Sequence, residues 1–243
     1  LLGAASAMLL VGLVDDAWAL RGRQKLLLQC LIIAALVGSG TLIKELSLLG
    51  FEFSLGMLAF PVTVVWLLVS VNALNLIDGA DGMATTAGCF ICLGLGFLSL
   101  QAGSTYSAVV GFALAAALLG FLRFNLPPAS IYLGDAGSMM IGLFIGALAV
   151  WSNFKESTVL ASAPVAILAI QLLYSTAAVM RRWLTGRSIY TTDRAHLHHL
   201  LQQRFGEKRM LWIVAALCTT TTTLSVLSIR FSQPWLAALG VAM

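Results

Sequence analysis

Apolar runs recur along this chain from end to end, and they leave few folds open. FPVTVVWLLVS (60–70) and FICLGLGFLSL (90–100) carry no charged side chain. A helix of about 20 apolar residues crosses the hydrocarbon of a bilayer. The chain is 60% hydrophobic and only 10% charged, where an ordinary soluble domain has about 25% charged residues. The expected fold is therefore all-α, a polytopic transmembrane helical bundle. Apolar spans read at 1–14, 26–43, 57–74, 84–101, 106–122, 138–152, 159–180, 211–228 and 235–243, about nine helices in a single integral-membrane domain over 1–243. Residue 1 is Leu and lies inside an apolar run, so one or more preceding helices are expected. Polar positions are rare in such a chain, and function is sought there.

Alternating the loops across the membrane places 15–25, 72–83, 123–137 and 181–209 on one side. It places 44–56, 101–105, 153–158 and 229–234 on the other. The first side receives 11 of the 14 basic residues; the second receives Lys44, Lys155 and Arg230. Excess Lys and Arg marks the cytoplasmic side. All six aspartates and all three histidines fall on that side as well. Aspartates contribute little to orientation, so a shared cytoplasmic site is the simplest cause. The net charge of +4 follows from membrane orientation, and nucleic-acid binding is not expected. Cys89 and Cys92 form a CxxC within an apolar run, where they read as two small apolar residues one turn apart.

Four polar motifs interrupt the apolar pattern. In VGLVDDAWALRGRQK, Asp15 and Asp16 adjoin at the end of the first run. Neighbouring carboxylates repel unless a cation relieves them, and a divalent metal would do so; a solvated helix end with a basic flank is the plainer alternative. In VNALNLIDGADGMA (71–84), Asn72, Asn75 and Asp78 recur every three residues and share one helix face. The Asp-Gly pairs then break the helix, and Asp81 could cap the next one near Met83. Neither asparagine has an obvious partner. In RFNLPPASIYLGDAGSMMIGL (123–143), Gly134 and Gly137 flank Asp135 just before an apolar run. The helix start there would offer free N–H groups to a phosphate, or Asp135 is an ordinary N-cap. In TTDRAHLHHLL (191–201), His196, His198 and His199 stand beside Asp193 and Arg194, a set suited to phosphate or nucleotide binding or to an interfacial loop. Carboxylates, amides, imidazoles and cations on one face of an apolar protein are what metal-assisted phosphoryl transfer requires.

These motifs, in this order, resemble those of the polyprenyl-phosphate N-acetylhexosamine-1-phosphate transferases. GLVDDAWALRGRQK is similar to the family's aspartate pair, NALNLIDGADGMA to its most distinctive motif, FNLPPASIYLGDAGS to its third and DRAHLHHLL to its histidine motif. The resemblance implies transfer of a sugar 1-phosphate from a UDP-sugar to undecaprenyl phosphate, with release of UMP and dependence on Mg²⁺ or Mn²⁺. It implies a multi-pass bacterial inner-membrane protein with a cytoplasmic active site, and a homodimer is compatible with it. It makes Asp135 the metal ligand, with Asp15 a second candidate, and gives Asp15 or Asp16 to the lipid phosphate. Asn72, Asn75, Asp78, Asp81 and Asn125 become nucleotide or sugar contacts. Arg194, His196, His198 and His199 become the diphosphate and sugar region. HLHH resembles the N-acetylglucosamine type rather than the muramoyl-pentapeptide branch. Two departures stand out: about two further N-terminal helices are usual, and Gln171 and Tyr174 hold places where many relatives have Pro and Asp. An inactive homologue or partner subunit is the alternative reading. A cation-coupled transporter would need ionisable groups at mid-membrane, which the spans almost lack.

Overall fold

The computed structural model describes residues 1–48, 51–152 and 204–231, with Met180, Gln233, Trp235, Leu236 and Leu239 as isolated positions. Among these it has seven α-helices: α1 (Leu2–Trp18), α2 (Gly22–Gly38), α3 (Ala59–Ile77), α4 (Met83–Gln101), α5 (Thr105–Asn125), α6 (Gly134–Trp151) and α7 (Glu207–Arg230). Five of them, α3 to α7, are long and apolar enough to cross a membrane. The chain is a polytopic helical membrane protein, as its apolar runs require. The expected span 159–180 lies outside the described residues.

Two boundaries differ from the sequence expectation. The span placed at 26–43 is helical over Gly22–Gly38, and the segment after it forms an antiparallel hairpin, β1 (Glu45–Leu48) with β2 (Phe51–Ser54). The Leu55 N–H closes the hairpin on the Lys44 carbonyl, 2.9 Å. Four-residue strands carry too little period-2 pattern to stand out beside an apolar helix. The sixth helix begins at Gly134 rather than 138, so Asp135 lies in its first turn.

Helix α6 is the centre of the bundle. Every residue from Ile141 to Val150 is buried, and α6 packs against both α1 and α3. In hydrocarbon, helices associate through close backbone approach at small residues and through interhelical hydrogen bonds. Both occur here. A Cβ at Gly142 would lie 2.8 Å from the Cα of Val71, so α3 crosses α6 in near backbone contact. The Ser70 hydroxyl and the Trp66 indole donate to the Gly142 and Gly146 carbonyls, at 2.8 and 3.1 Å. Gly12 of α1 meets the backbone of Asp135 and Ala136 directly. Helices α4 and α5 pack along the other flank, with α7 against α4.

This packing fixes which ends lie together. Helices α1, α3 and α5 finish, and α2, α4, α6 and α7 begin, at one end of the bundle. Arg21, Arg23, Lys25, Arg123, Lys208 and Arg209 lie at that end, and Lys44 and Arg230 at the other.

A carboxylate, amide and lysine cluster at one end of the bundle

The last turn of α1 delivers Asp15 and Asp16, and the two point to different partners. The chain reverses after Trp18 through Ala19, a left-handed residue (φ 48°) whose N–H bonds the Asp15 carbonyl. The Leu20 N–H then donates to Asp15 Oδ1, 2.7 Å. This short reversal brings Lys25, near the start of α2, back over the end of α1. The Lys25 ammonium lies 2.8 Å from Asp15 Oδ2 and 2.6 Å from Asp135 Oδ2, and it donates to Asn75 Oδ1 at 3.4 Å.

Helix α3 supplies the amide. Asn75 Nδ2 donates to Asp135 Oδ1 at 2.6 Å and to the Ser138 hydroxyl at 2.9 Å. Ser138 in turn donates to the Gly134 carbonyl, 2.8 Å. Asp135 therefore has one oxygen on an amide and the other on an ammonium.

Asp16 closes the site from the side. The N–H groups of Asp135 and Ala136 donate to its two carboxylate oxygens, at 3.0 and 3.1 Å. Unpaired N–H groups and the helix dipole make a helix N-terminus a natural anion site. Here a carboxylate from α1 fills it. The expectation that those N–H groups are free for a phosphate is thereby corrected. Asp135 is not the N-cap either; Leu133 is. Gly134 is required at this junction: its φ is +66°, and a Cβ there would lie 2.8 Å from Asp16 Oδ2.

The other expected site residues divide. Asp78 is the residue after α3, its N–H bonded to the Leu74 and Asn75 carbonyls. Burial, with the nearby charges of Asp135 and Asp16, pushes its carboxyl up to about 7. Asn72 does find partners: Nδ2 donates to Gln29 Oε1 and to the Leu68 carbonyl, both 2.8 Å. Asp81 does not cap α4, whose N-cap is Gly82 with no side-chain cap. Its Oδ2 instead accepts from the Ala129 N–H, 2.9 Å. Asn125 is buried, accepting from Thr85 Oγ1 at 2.6 Å and donating to the Ile131 carbonyl at 2.9 Å. In this arrangement Asp81 and Asn125 hold the 126–133 loop onto α4 and α5. Arg194, His196, His198, His199, Gln171 and Tyr174 lie outside the described residues.

Two members of the cluster, Lys25 and Ser138, fall within the quoted motifs, but neither is assigned a place in the site from sequence. In sequence Lys25 is one more orientation charge on the basic side. Its signal is that it is the last basic residue before an apolar run.

The Asp78 position has a measurable consequence. A carboxyl raised in the folded state binds a proton that the unfolded chain has already released. Its contribution is favourable in acid and is lost as pH rises from about 4 through about 7. Asp78→Asn should match the wild type near pH 4 and melt progressively above it as pH rises, with the gap largest above about pH 7, in detergent without divalent metal. A difference in melting temperature that does not change across this range would mean that Asp78 titrates as an ordinary carboxylate.

Among the described residues, no three Asp, Glu, His or Cys side chains converge as a preformed metal cluster. The donor set nevertheless suits a hard divalent cation. Asp15 and Asp135 each turn one oxygen toward a common centre that already holds a cationic nitrogen. Mg²⁺ needs only one or two carboxylates when substrate phosphates and water complete its shell.

The fold and this cluster define a polytopic membrane protein with a carboxylate, amide and lysine cluster at one end of the bundle. The chain belongs to glycosyl transferase family 4, whose family model matches residues 1–153. It is 30% identical over 236 residues to a probable undecaprenyl-phosphate N-acetylglucosaminyl 1-phosphate transferase of Bacillus subtilis, covering 96% of this chain and 66% of that protein. It is 32% identical over 209 residues to a phospho-N-acetylmuramoyl-pentapeptide-transferase of Clostridium beijerinckii, covering 83% and 63%. It is 30% identical over 246 residues to a decaprenyl-phosphate N-acetylglucosaminephosphotransferase of Mycobacterium tuberculosis, covering 87% and 58%. The chain thus spans less than two thirds of the length of these relatives.

Proposed function

We propose that the protein transfers an N-acetylhexosamine 1-phosphate, N-acetylglucosamine 1-phosphate on our reading, from its UDP-sugar to undecaprenyl phosphate and releases UMP. The reaction is a first membrane step of cell-envelope glycan synthesis, and the site faces the cytoplasm of a bacterial inner membrane. The observation that carries the reading is the convergence of Asp15, Lys25, Asn75 and Asp135, from four different helices, at the basic end of an apolar bundle. The names of the relatives support the acceptor and the sugar class.

Asp135 and Asp15 would hold Mg²⁺, which when bound neutralises phosphate charge at the transferring group. Asn75 orients Asp135 by fixing one of its oxygens. Asp16 holds the start of α6 against the end of α1, which favours Asp15 over Asp16 as the carboxylate facing the lipid phosphate. The bundle brings a membrane-bound acceptor to the depth at which a soluble nucleotide sugar can arrive.

The test is the full-length protein in detergent with undecaprenyl phosphate and UDP-N-acetylglucosamine labelled in the sugar. Labelled lipid and stoichiometric UMP are expected with Mg²⁺ and neither with EDTA, with activity restored by excess metal. If no UDP-sugar yields product while a relative works in the same assay, the transferase reading fails.

A further inference from the structure

Lys25 occupies the centre that a metal would need. Its ammonium has three N–H donors and three acceptors around it: Asp15 Oδ2, Asp135 Oδ2 and Asn75 Oδ1. The remaining carboxylate oxygens are already engaged, Asp15 Oδ1 by the Leu20 N–H and Asp135 Oδ1 by Asn75 Nδ2. Only the two Oδ2 atoms are turned inward, and both meet the same nitrogen. The lysine side chain is 15% exposed and Asp15 10%, against 33% for Asp135. The cluster is thus open on the Asp135 side and closed over the lysine.

A divalent ion held by both carboxylates would sit about 2.0–2.1 Å from each oxygen. That is the space the ammonium fills, and two cations that close repel strongly in a partly desolvated site. Two carboxylates left with no cation would repel in turn and push Asp15 and Asp135 apart. The flexible four-carbon stem of lysine lets its head group leave without moving α2.

We propose that Lys25 is a tethered occupant of the cation site: it holds Asp15 and Asp135 together until a divalent metal binds, and the metal then displaces its ammonium from between them. The inference rests on the functional reading above. Its consequence is a site that keeps its geometry without metal, so metal and substrate need not arrive in a fixed order. The freed ammonium remains beside the site, within reach of phosphate oxygens.

The test uses the wild-type protein and one reading per lysine. The chain has Lys25, Lys44, Lys155 and Lys208, and Lys44 and Lys208 are exposed, so they serve as internal references. Acylation by an amine-reactive ester is followed by mass spectrometry in EDTA and in saturating Mn²⁺, with Mn²⁺ occupancy read by electron paramagnetic resonance. In EDTA, Lys25 should react at least about tenfold more slowly than Lys44 and Lys208. With Mn²⁺ bound, its rate should rise severalfold while the references stay constant. A second measurement is Mn²⁺ affinity: Lys25→Met should bind about tenfold more tightly, because the competitor is gone. Mn²⁺ bound at full occupancy with Lys25 still protected, or Lys25→Met binding no more tightly, would overturn the displacement and leave the transferase reading standing. No Mn²⁺ bound at all would overturn the displacement as well, while the transferase reading stands or falls on the product assay above.

Discussion

Asp135→Asn should lower the rate of the proposed sugar-phosphate transfer by roughly 10³-fold and leave the bundle folded. The size follows from losing the anionic ligand that would fix a divalent ion worth several kcal/mol of charge stabilisation, at about 1.4 kcal/mol per decade of rate. The fold survives because the neutral amide is nearly isosteric and can still accept from Asn75 or Lys25. The Lys25 ammonium then faces Asp15 alone, and that ion pair remains. The measurement is turnover at saturating Mg²⁺ beside a thermal melt of the same preparation. An Asp135→Asn protein with more than a tenth of wild-type turnover would remove Asp135 from the centre of the chemistry.

Gly12→Ala, a change of one methyl group with no polar atom, should cost about 2–3 kcal/mol of stability and most of the activity. A Cβ at Gly12 would overlap the backbone of Asp135 and Ala136, and neither backbone can turn aside as a side chain can. Overpacking of this kind costs typically 1–3 kcal/mol. The damage reaches the site because the contact lies one turn before Asp16. Separating α1 from α6 stretches the two N–H bonds to the Asp16 carboxylate and moves Asp15 away from Asp135. Gly3→Ala is the matched control, since nothing lies within 4 Å of a Cβ there. Melting temperature and turnover should both fall for Gly12→Ala and neither for Gly3→Ala. Equal behaviour of the two would mean that α1 and α6 can slide apart without consequence.

Much of the site is legible in the sequence because an apolar chain makes polar residues conspicuous. A carboxylate or amide near hydrocarbon is costly, so the apolar surroundings of Asp15, Asp16, Asn75, Asp78 and Asp135 are enough to mark them. The loops that carry them fall on one side by simple alternation. What those residues touch is not legible in the same way. Asp15 and Asp16 are adjacent and chemically identical, yet one pairs with a lysine and the other accepts from the start of a helix 119 residues away. Asp81, a possible helix cap in sequence, and Asn125 both hydrogen-bond the 126–133 loop in the fold. The β1–β2 hairpin reads in sequence as a polar connection because its strands are too short to show a period.

The sequence by itself determined that this is a helical membrane protein, which end of the bundle is basic and acidic, and which family it joins. These follow from composition, run length and local spacing, all of which are properties of neighbours along the chain. Only the tertiary structure decided that Lys25 lies between Asp15 and Asp135, and that Asp16 rather than a phosphate fills the N-terminus of α6. Those facts depend on how closely α1, α2, α3 and α6 approach. That approach is set by backbone contact at Gly12 and Gly142, where the absence of a side chain, which local patterning does not register, lets two helices meet.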